Sequence, residues 1–202
     1  MLMQQTIYLA SASPRRHELL NQLGIKHEVL HVPAPEGEDE PIWANETATQ
    51  YVQRTALDKL QHTLAWRKKQ ASLNQDWPIL CADTTVELQG NILGKPVDLA
   101  HAAQLLQRLS GSSHQVHTAA CLAHQGQIYS ALSTSQIRFK ALSPDEIERY
   151  CRSEEPLGKA GAYGIQGLAA AFIEHLEGSY SGVMGLDLHQ TYQMLRQAHS
   201  KQ

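Results

Sequence analysis

The sequence predicts a mixed α/β fold in which an extended central sheet is flanked by helices, and three observations predict it. Segments with strand character alternate with segments whose apolar residues recur at helical spacing. Two long strand-like runs, 114–123 and 127–140, are separated by only three residues, so a hairpin is the expected connection. No repeat or low-complexity tract interrupts this order, and 202 residues suit one folding unit, or two intimately packed lobes, over 1–202.

Taken in order, residues 6–10 read as a short strand and 11–14 as a break. Residues 15–23 read as a helix, with Leu19, Leu20 and Leu23 on one face before Gly24 stops it. Ser13 suits the N-cap and Pro14 the first helical position, where proline's missing N–H costs nothing. Residues 31–45 hold Pro33, Pro35, Pro41, Gly37 and several acids, so they read as a loop before a helix over 46–69. A buried strand follows over 79–88, then a turn at 89–91 and the returning half of a hairpin at 92–96. Asp98 is placed to cap a helix over 99–109, whose Ala102, Leu105, Leu106 and Leu109 share a face. After the long hairpin, Ser143-Pro144 opens a helix over 144–152. Residues 158–167 form a glycine-rich loop, 168–177 read as an apolar strand, and 188–198 as the last helix.

Composition narrows the function. A net charge of -3 gives no global attraction for nucleic acid, so a polyanionic ligand would need a local group of cations. No apolar run approaches the roughly 20 residues that span a bilayer, and the N-terminal apolar stretch is too short for a secretory signal. Neither nucleic acid nor membrane is therefore an expected partner, and the mature chain is expected to begin near Met1. Cys81, Cys121 and Cys151 are odd in number and lack metal-binding spacing, which argues against a disulfide framework or zinc site and suits a cytoplasmic location.

Three groups carry candidate chemistry. Ser11, Ser13, Arg15 and Arg16 lie at a strand-to-helix turn, where free N–H groups and the helix dipole favour phosphate. Two arginines add forked donors that match phosphate oxygens, although two solvated arginines on a first turn would look the same. Asp83, with Thr84 and Thr85, interrupts an otherwise apolar strand; a charged acid there needs a cation, a metal or several hydrogen bonds. A cleft-facing acid and a structural Asp bonded by its neighbours are both open, and Lys95 on the returning strand could reach the same cleft. The loop 159–167 has glycines that permit close approach, Gln166 with donor and acceptor to read a base edge, and Tyr163 to pack on a ring. A set of irregular turns is the plain alternative. His114 and His117, three apart in a strand, point to opposite faces and are not expected to ligate one metal. Glu36, Glu38, Asp39 and Glu40 read as a solvated loop, one of whose acids could close over a metal.

These segments, together with others in the same order, resemble the Maf family of nucleoside triphosphate pyrophosphatases. The resemblance is carried by Tyr8-Leu9-Ala10-Ser11-Ala12-Ser13-Pro14-Arg15-Arg16, Ala82-Asp83-Thr84, Gly94-Lys95-Pro96, Leu109-Ser110-Gly111, Glu155-Pro156-Leu157, residues 159–167 and Glu177-Gly178-Ser179-Tyr180. It implies a Maf/ITPase-like fold of two closely packed lobes with a cleft. It also implies cleavage of a nucleoside triphosphate to monophosphate and pyrophosphate with a divalent metal, Mg or Mn.

By the same resemblance Asp83 is the catalytic proton acceptor, and Arg15, Thr84 and Gln166 influence which base is accepted. Ser11, Arg16, Lys59 and Lys95 contact phosphates, and Glu36 joins Asp83 near the metal. Water would attack the α-phosphorus, with pyrophosphate leaving between Arg15, Arg16 and Lys95. The wording of 159–167 resembles the branch acting on dTTP and UTP more than the branch acting on 7-methyl-GTP, and modified pyrimidine nucleotides are further candidates. The alternative of another class is a non-catalytic nucleotide-binding regulator of septum formation; a homodimer is suggested by resemblance alone. Gly158, Asp187, Thr55 and Leu60 depart from the family's usual residues and are expected to bear on packing rather than chemistry. Glu87 is expected to face solvent.

Overall fold

A computed structural model of the chain describes residues 6–34 and 40–200. The elements are β1 (Ile7–Leu9), α1 (Pro14–Gln22), β2 (His27–Val29), α2 (Ala48–Arg67), β3 (Ile79–Leu88), β4 (Asn91–Leu93) and α3 (Leu99–Leu109). They continue as β5 (Ser113–His124), β6 (Gln127–Phe139), α4 (Pro144–Arg152), β7 (Ile173–Glu177), α5 (Tyr180–Met184) and α6 (Leu188–Ser200). The strands make one sheet in the order β2-β1-β3-β5-β6-β7, with β4 also paired to β3. β1 runs parallel to β2 and β3, and the remaining pairs are antiparallel. The predicted mixed sheet flanked by helices is the fold observed.

Local chemistry explains the helix starts. Thr47 and Gln50 form a reciprocal capping box at α2, and Ser143 and Glu146 form another at α4, where Pro144 takes the first turn. Asp98 Oδ1 accepts from His101 N at 2.7 Å, so it caps α3 as its position suggested.

Packing divides around β3. Ile79 and Cys81 pack against Val52, Ala56 and Leu60 of α2, whereas Leu80 and Ala82 face Leu19 and Leu20 of α1 and Met194 and Leu195 of α6. The far end of the strand, Val86 and Leu88, belongs to a separate cluster with Leu105, Leu106, Leu109, Tyr150 and Tyr163. Asp83-Thr84-Thr85 is the polar stretch of β3 between these clusters.

Three features differ from the sequence reading. Residues 168–177 are not one strand, because Leu168–Phe172 form a 3₁₀ turn and β7 begins at Ile173. Burial at Ala169 and Phe172, three apart, fits the eclipsed spacing of a 3₁₀ helix rather than the alternation of a strand. β2 and α5 are short elements, three and five residues, with too few positions to show a period.

Gly161 lies against Val86 of β3. It has φ +66°, and an added Cβ would lie 2.9 Å from Val86 Cγ2. Gly161→Ala is therefore expected to lower stability by about 2–4 kcal/mol, from left-handed strain plus overpacking, as read by urea denaturation.

Candidate active site

The site arises from a gap in strand pairing. Along one edge of β3, β1 pairs with Ile79 and Leu80, and β4 pairs from Val86 onward. Between them, no strand among the described residues covers that edge. A cavity of about 970 Å³ enters there, beyond the carboxyl end of β1, where parallel-strand folds commonly bind ligands. Its wall includes Ser11, Arg15, Arg16, Lys59, Asp83, Thr84, Lys95 and Gln166, so the structure brings together those eight residues from five separate segments of the chain.

Asp83 is buried, at 6% exposure, on the face of β3 that meets α2. Lys59 Nζ donates to Asp83 Oδ1 at 2.6 Å and Thr55 Oγ1 donates to Oδ2 at 2.9 Å. Burial opposes charge on Asp83, but Lys59 and Arg16 outweigh it, and the carboxyl is held below its ordinary range. Burial likewise opposes charge on Lys59, yet Asp83 and Glu40 together raise its pKa. Both groups are ionised at neutral pH. Thr55, expected to matter only for packing, instead donates directly to the candidate catalytic acid.

Thr84 points to the opposite face. Its hydroxyl meets Thr118 Oγ1 at 2.9 Å and accepts from Arg16 Nη2 at 3.2 Å. Arg16 also donates to Gly185 O at 2.8 Å and to Ser11 Oγ at 3.1 Å. Burial lowers its pKa, with Asp83 opposing that effect. Arg16 is thus a fixed brace joining α1, β3 and Gly185, while Arg15 on the same helix turn also reaches the cavity.

Charge in the wall is unbalanced. Arg15, Arg16, Lys59, Lys95 and Lys159 face Asp83, Glu40 and Asp58, an excess of cations within a chain that is net acidic. The α1 N-terminus, with Ser11 to Pro14 in the wall, adds its dipole. Such a concentration suits a ligand with several negative charges.

Sequence reasoning missed or misjudged several neighbours. Glu36 lies outside the described residues, as do Glu38 and Asp39; among the described residues the loop acid that meets the site is Glu40, whose carboxylate pairs with Lys59. Lys159 lies within the quoted glycine-rich loop but received no role. Tyr163, read as a ring to stack on a ligand, borders the cavity but is mostly buried: its ring packs on Phe139 at 4.9 Å and its hydroxyl meets His114 Nε2 at 2.8 Å. Burial lowers the His114 pKa to about 4. Glu87 does not simply face solvent, since its Oε2 lies 3.1 Å from His117 Nε2. His117 also meets Thr134, so the two histidines have separate partners. Asp187 accepts from Ser133 Oγ and from Gln190 N, which fixes the start of α6. The three cysteines are free and buried, with burial raising Cys81 to about 12 and Cys121 to about 11.

Glu40 and Asp83 already converge on one cation, the Lys59 ammonium, and an all-oxygen pair suits a hard divalent ion that keeps water and phosphate as its other ligands. Among the described residues no group of three or more His, Cys, Asp or Glu is placed to hold a metal, so phosphate oxygens would have to complete the shell. The residues fit on those terms. Among the described residues, no helix is long and apolar enough to cross a membrane.

Comparison with known proteins finds near-full-length relatives. The chain is 55% identical over 192 residues to a dTTP/UTP pyrophosphatase of Bordetella avium (strain 197N), covering 95% of this chain and 94% of the relative. It is 50% identical over 198 residues to a protein of that name from Cupriavidus pinatubonensis (strain JMP 134 / LMG 1197), covering 97% and 98%. A protein of that name from Neisseria gonorrhoeae (strain ATCC 700825 / FA 1090) is 46% identical over 191 residues, covering 95% and 93%. The family model described as Maf-like protein matches residues 6–198, and the chain belongs to the Maf family.

Proposed function

We infer that this protein is a nucleoside triphosphate pyrophosphatase that hydrolyses dTTP and UTP to the monophosphate and pyrophosphate. The observation that carries this reading is an ionised, buried carboxylate, Asp83, in the wall of a cavity that also holds five cations. Near-full-length relatives named dTTP/UTP pyrophosphatase support the substrate.

The chain's own groups account for the work. Lys95, Arg15 and Lys159 neutralise phosphate oxygens, and the α1 N-terminus adds backbone donors. Arg16 is already committed to Gly185, Ser11 and Thr84, so it orients the loop and contributes its field rather than moving. In the substrate-free cavity Lys59 keeps Asp83 ionised but weakly basic. When Lys59 turns to a phosphate, Asp83 loses its main neutralising partner and becomes the stronger base needed to take a proton from the attacking water. A magnesium or manganese ion held by Asp83 and Glu40 would supply further charge neutralisation to the phosphate oxygens. A single domain over 1–202 and a cytoplasmic location belong to the same reading, as does a homodimer by family resemblance.

The test is a panel of canonical, modified and 7-methylated nucleoside triphosphates, assayed for pyrophosphate against orthophosphate. Pyrophosphate from dTTP and UTP is expected, abolished by a chelator and restored by Mg²⁺ or Mn²⁺. Orthophosphate as first product, or preference for 7-methyl-GTP, would overturn the reading.

Glu40 is positioned by Arg54. That guanidinium holds Glu46 through two bonds of 2.6 and 2.8 Å, donates to Pro41 O at 2.8 Å, and lies 4.0 Å from the Trp43 ring centroid. Arg54→Ala frees this segment and is expected to lower kcat/KM for dTTP about 10–100-fold, the range for losing an outer support of a ligand. Unchanged kinetics would show that Glu40's part in the reaction does not depend on Arg54.

A further inference from the structure

The segment that carries Gln166 is fastened from outside the cavity. Tyr150, on α4, donates its hydroxyl proton to Glu155 Oε1 at 2.9 Å, and its oxygen accepts from Gly164 N at 3.2 Å. The other carboxylate oxygen, Oε2, accepts from Leu168 N at 3.0 Å. One tyrosine and one glutamate therefore hold both ends of the five residues 164–168, and the bond from Gly167 N to Gly164 O at 3.1 Å closes the turn between them.

The fit is close. A Cβ on Gly167 would lie 2.3 and 2.4 Å from the two Glu155 oxygens, so the carboxylate lies directly against that backbone. The Tyr150 ring is buried and packs edge-on to Phe172 at 5.2 Å. Gln166, in the middle of this clamped segment, is exposed to the cavity, and its amide has no hydrogen-bond partner among the described residues. A free donor and acceptor held side by side match the N3–H and a carbonyl of uracil or thymine. Burial lowers the Arg15 pKa, and the Glu155 carboxylate is among the groups that oppose that effect, so the relay's acid also acts on the arginine at the cavity wall.

We propose that Tyr150 and Glu155 are positioning residues for base recognition, whose hydrogen-bond relay fixes residues 164–168 so that Gln166 meets the edge of a pyrimidine base. This rests on reading the cavity as a nucleoside triphosphate site. Neither residue lines the cavity; their effect on the base passes through Gln166 and Arg15. Without the relay, the Gln166 amide samples several positions, and binding energy that depends on one of them is lost.

Tyr150→Phe removes both hydroxyl bonds and keeps the ring against Phe172. Three results are expected. The KM for dTTP rises about tenfold with kcat within about threefold, and the preference for dTTP over dCTP falls by about the same tenfold, the scale of one hydrogen bond. Inhibition by tripolyphosphate, which has no base, is unchanged. Amide hydrogen exchange at Gly164 speeds up. Glu155→Gln, which keeps the shape but not the charge, should give a smaller shift of the same kind and carries the test if Tyr150→Phe fails to fold. Adding Tyr150→Phe to Gln166→Ala should cost no further preference.

The proposal is overturned if base preference is unchanged while Gly164 exchanges faster. It is also overturned if tripolyphosphate inhibition weakens in step with dTTP binding, because the whole cavity has then deformed. Failure of the functional reading looks different: the wild-type protein would release no pyrophosphate from any nucleoside triphosphate, and the positioning role would fall with it.

Discussion

Asp83→Asn is expected to lower pyrophosphate release from dTTP by about 10³-fold or more while leaving the protein folded. Removing a single charge-stabilising group commonly costs 10²–10³-fold, and Asp83 serves as both proton acceptor and cation partner in the proposed chemistry. The fold survives because Asn is nearly isosteric: its amide oxygen can still accept from Lys59, and its amide nitrogen can donate to the Thr55 hydroxyl, the two groups that satisfy Asp83 now. Circular dichroism and urea unfolding establish the second half of this expectation, and single-turnover pyrophosphate release the first. Turnover near the wild-type rate would remove Asp83 from the chemistry.

Lys59→Met is expected to affect both activity and stability. Breaking a buried ion pair by deleting one partner commonly costs about 3–5 kcal/mol; about 2–3 is expected here, because the Lys59 side chain keeps 34% of its surface in water. The pH dependence has a definite sign. The folded-state pKa of Asp83 lies below its unfolded value of about 3.9, so its contribution is fully present above that value and is lost as pH falls through the folded one. The pKa of Lys59 is raised above about 10.4, so its contribution is present below that value and is lost as pH rises through the folded pKa. In Lys59→Met, burial of Asp83 is opposed mainly by Arg16, the carboxyl pKa rises, and protonation relieves the variant. The gap between wild type and variant should therefore be widest near pH 7 and narrow towards pH 4. Urea midpoints across that range check it, and a constant gap would show that the pair is not the source.

Much of the site was legible in the sequence because its parts are local exceptions to strong patterns. Asp83 stands out in ten residues that otherwise read as a buried strand, and Arg15 and Arg16 sit against a dipole that disfavours them. The long helices and the hairpin were legible for the same reason, since their periods extend over many residues. What could not be read depends on distant pairing. Glu40 is one of several acids in a loop, and its approach to Lys59 depends on tertiary placement that no local pattern carries. Thr55 looked like a packing substitution because Asp83 is 28 positions away in the chain. Tyr163 carried the same composition signal as a ligand-stacking ring, and its burial against Phe139 decided otherwise.

The interrupted edge of β3 has a further consequence. From Leu80 to Val86 the open margin extends about 20 Å at ordinary strand rise, and both of its jambs belong to the same sheet. An aperture framed in this way keeps its width whatever the surrounding loops do. The tolerated size of a guest is then set by strand registry, and its identity by side chains that can be exchanged without disturbing that frame.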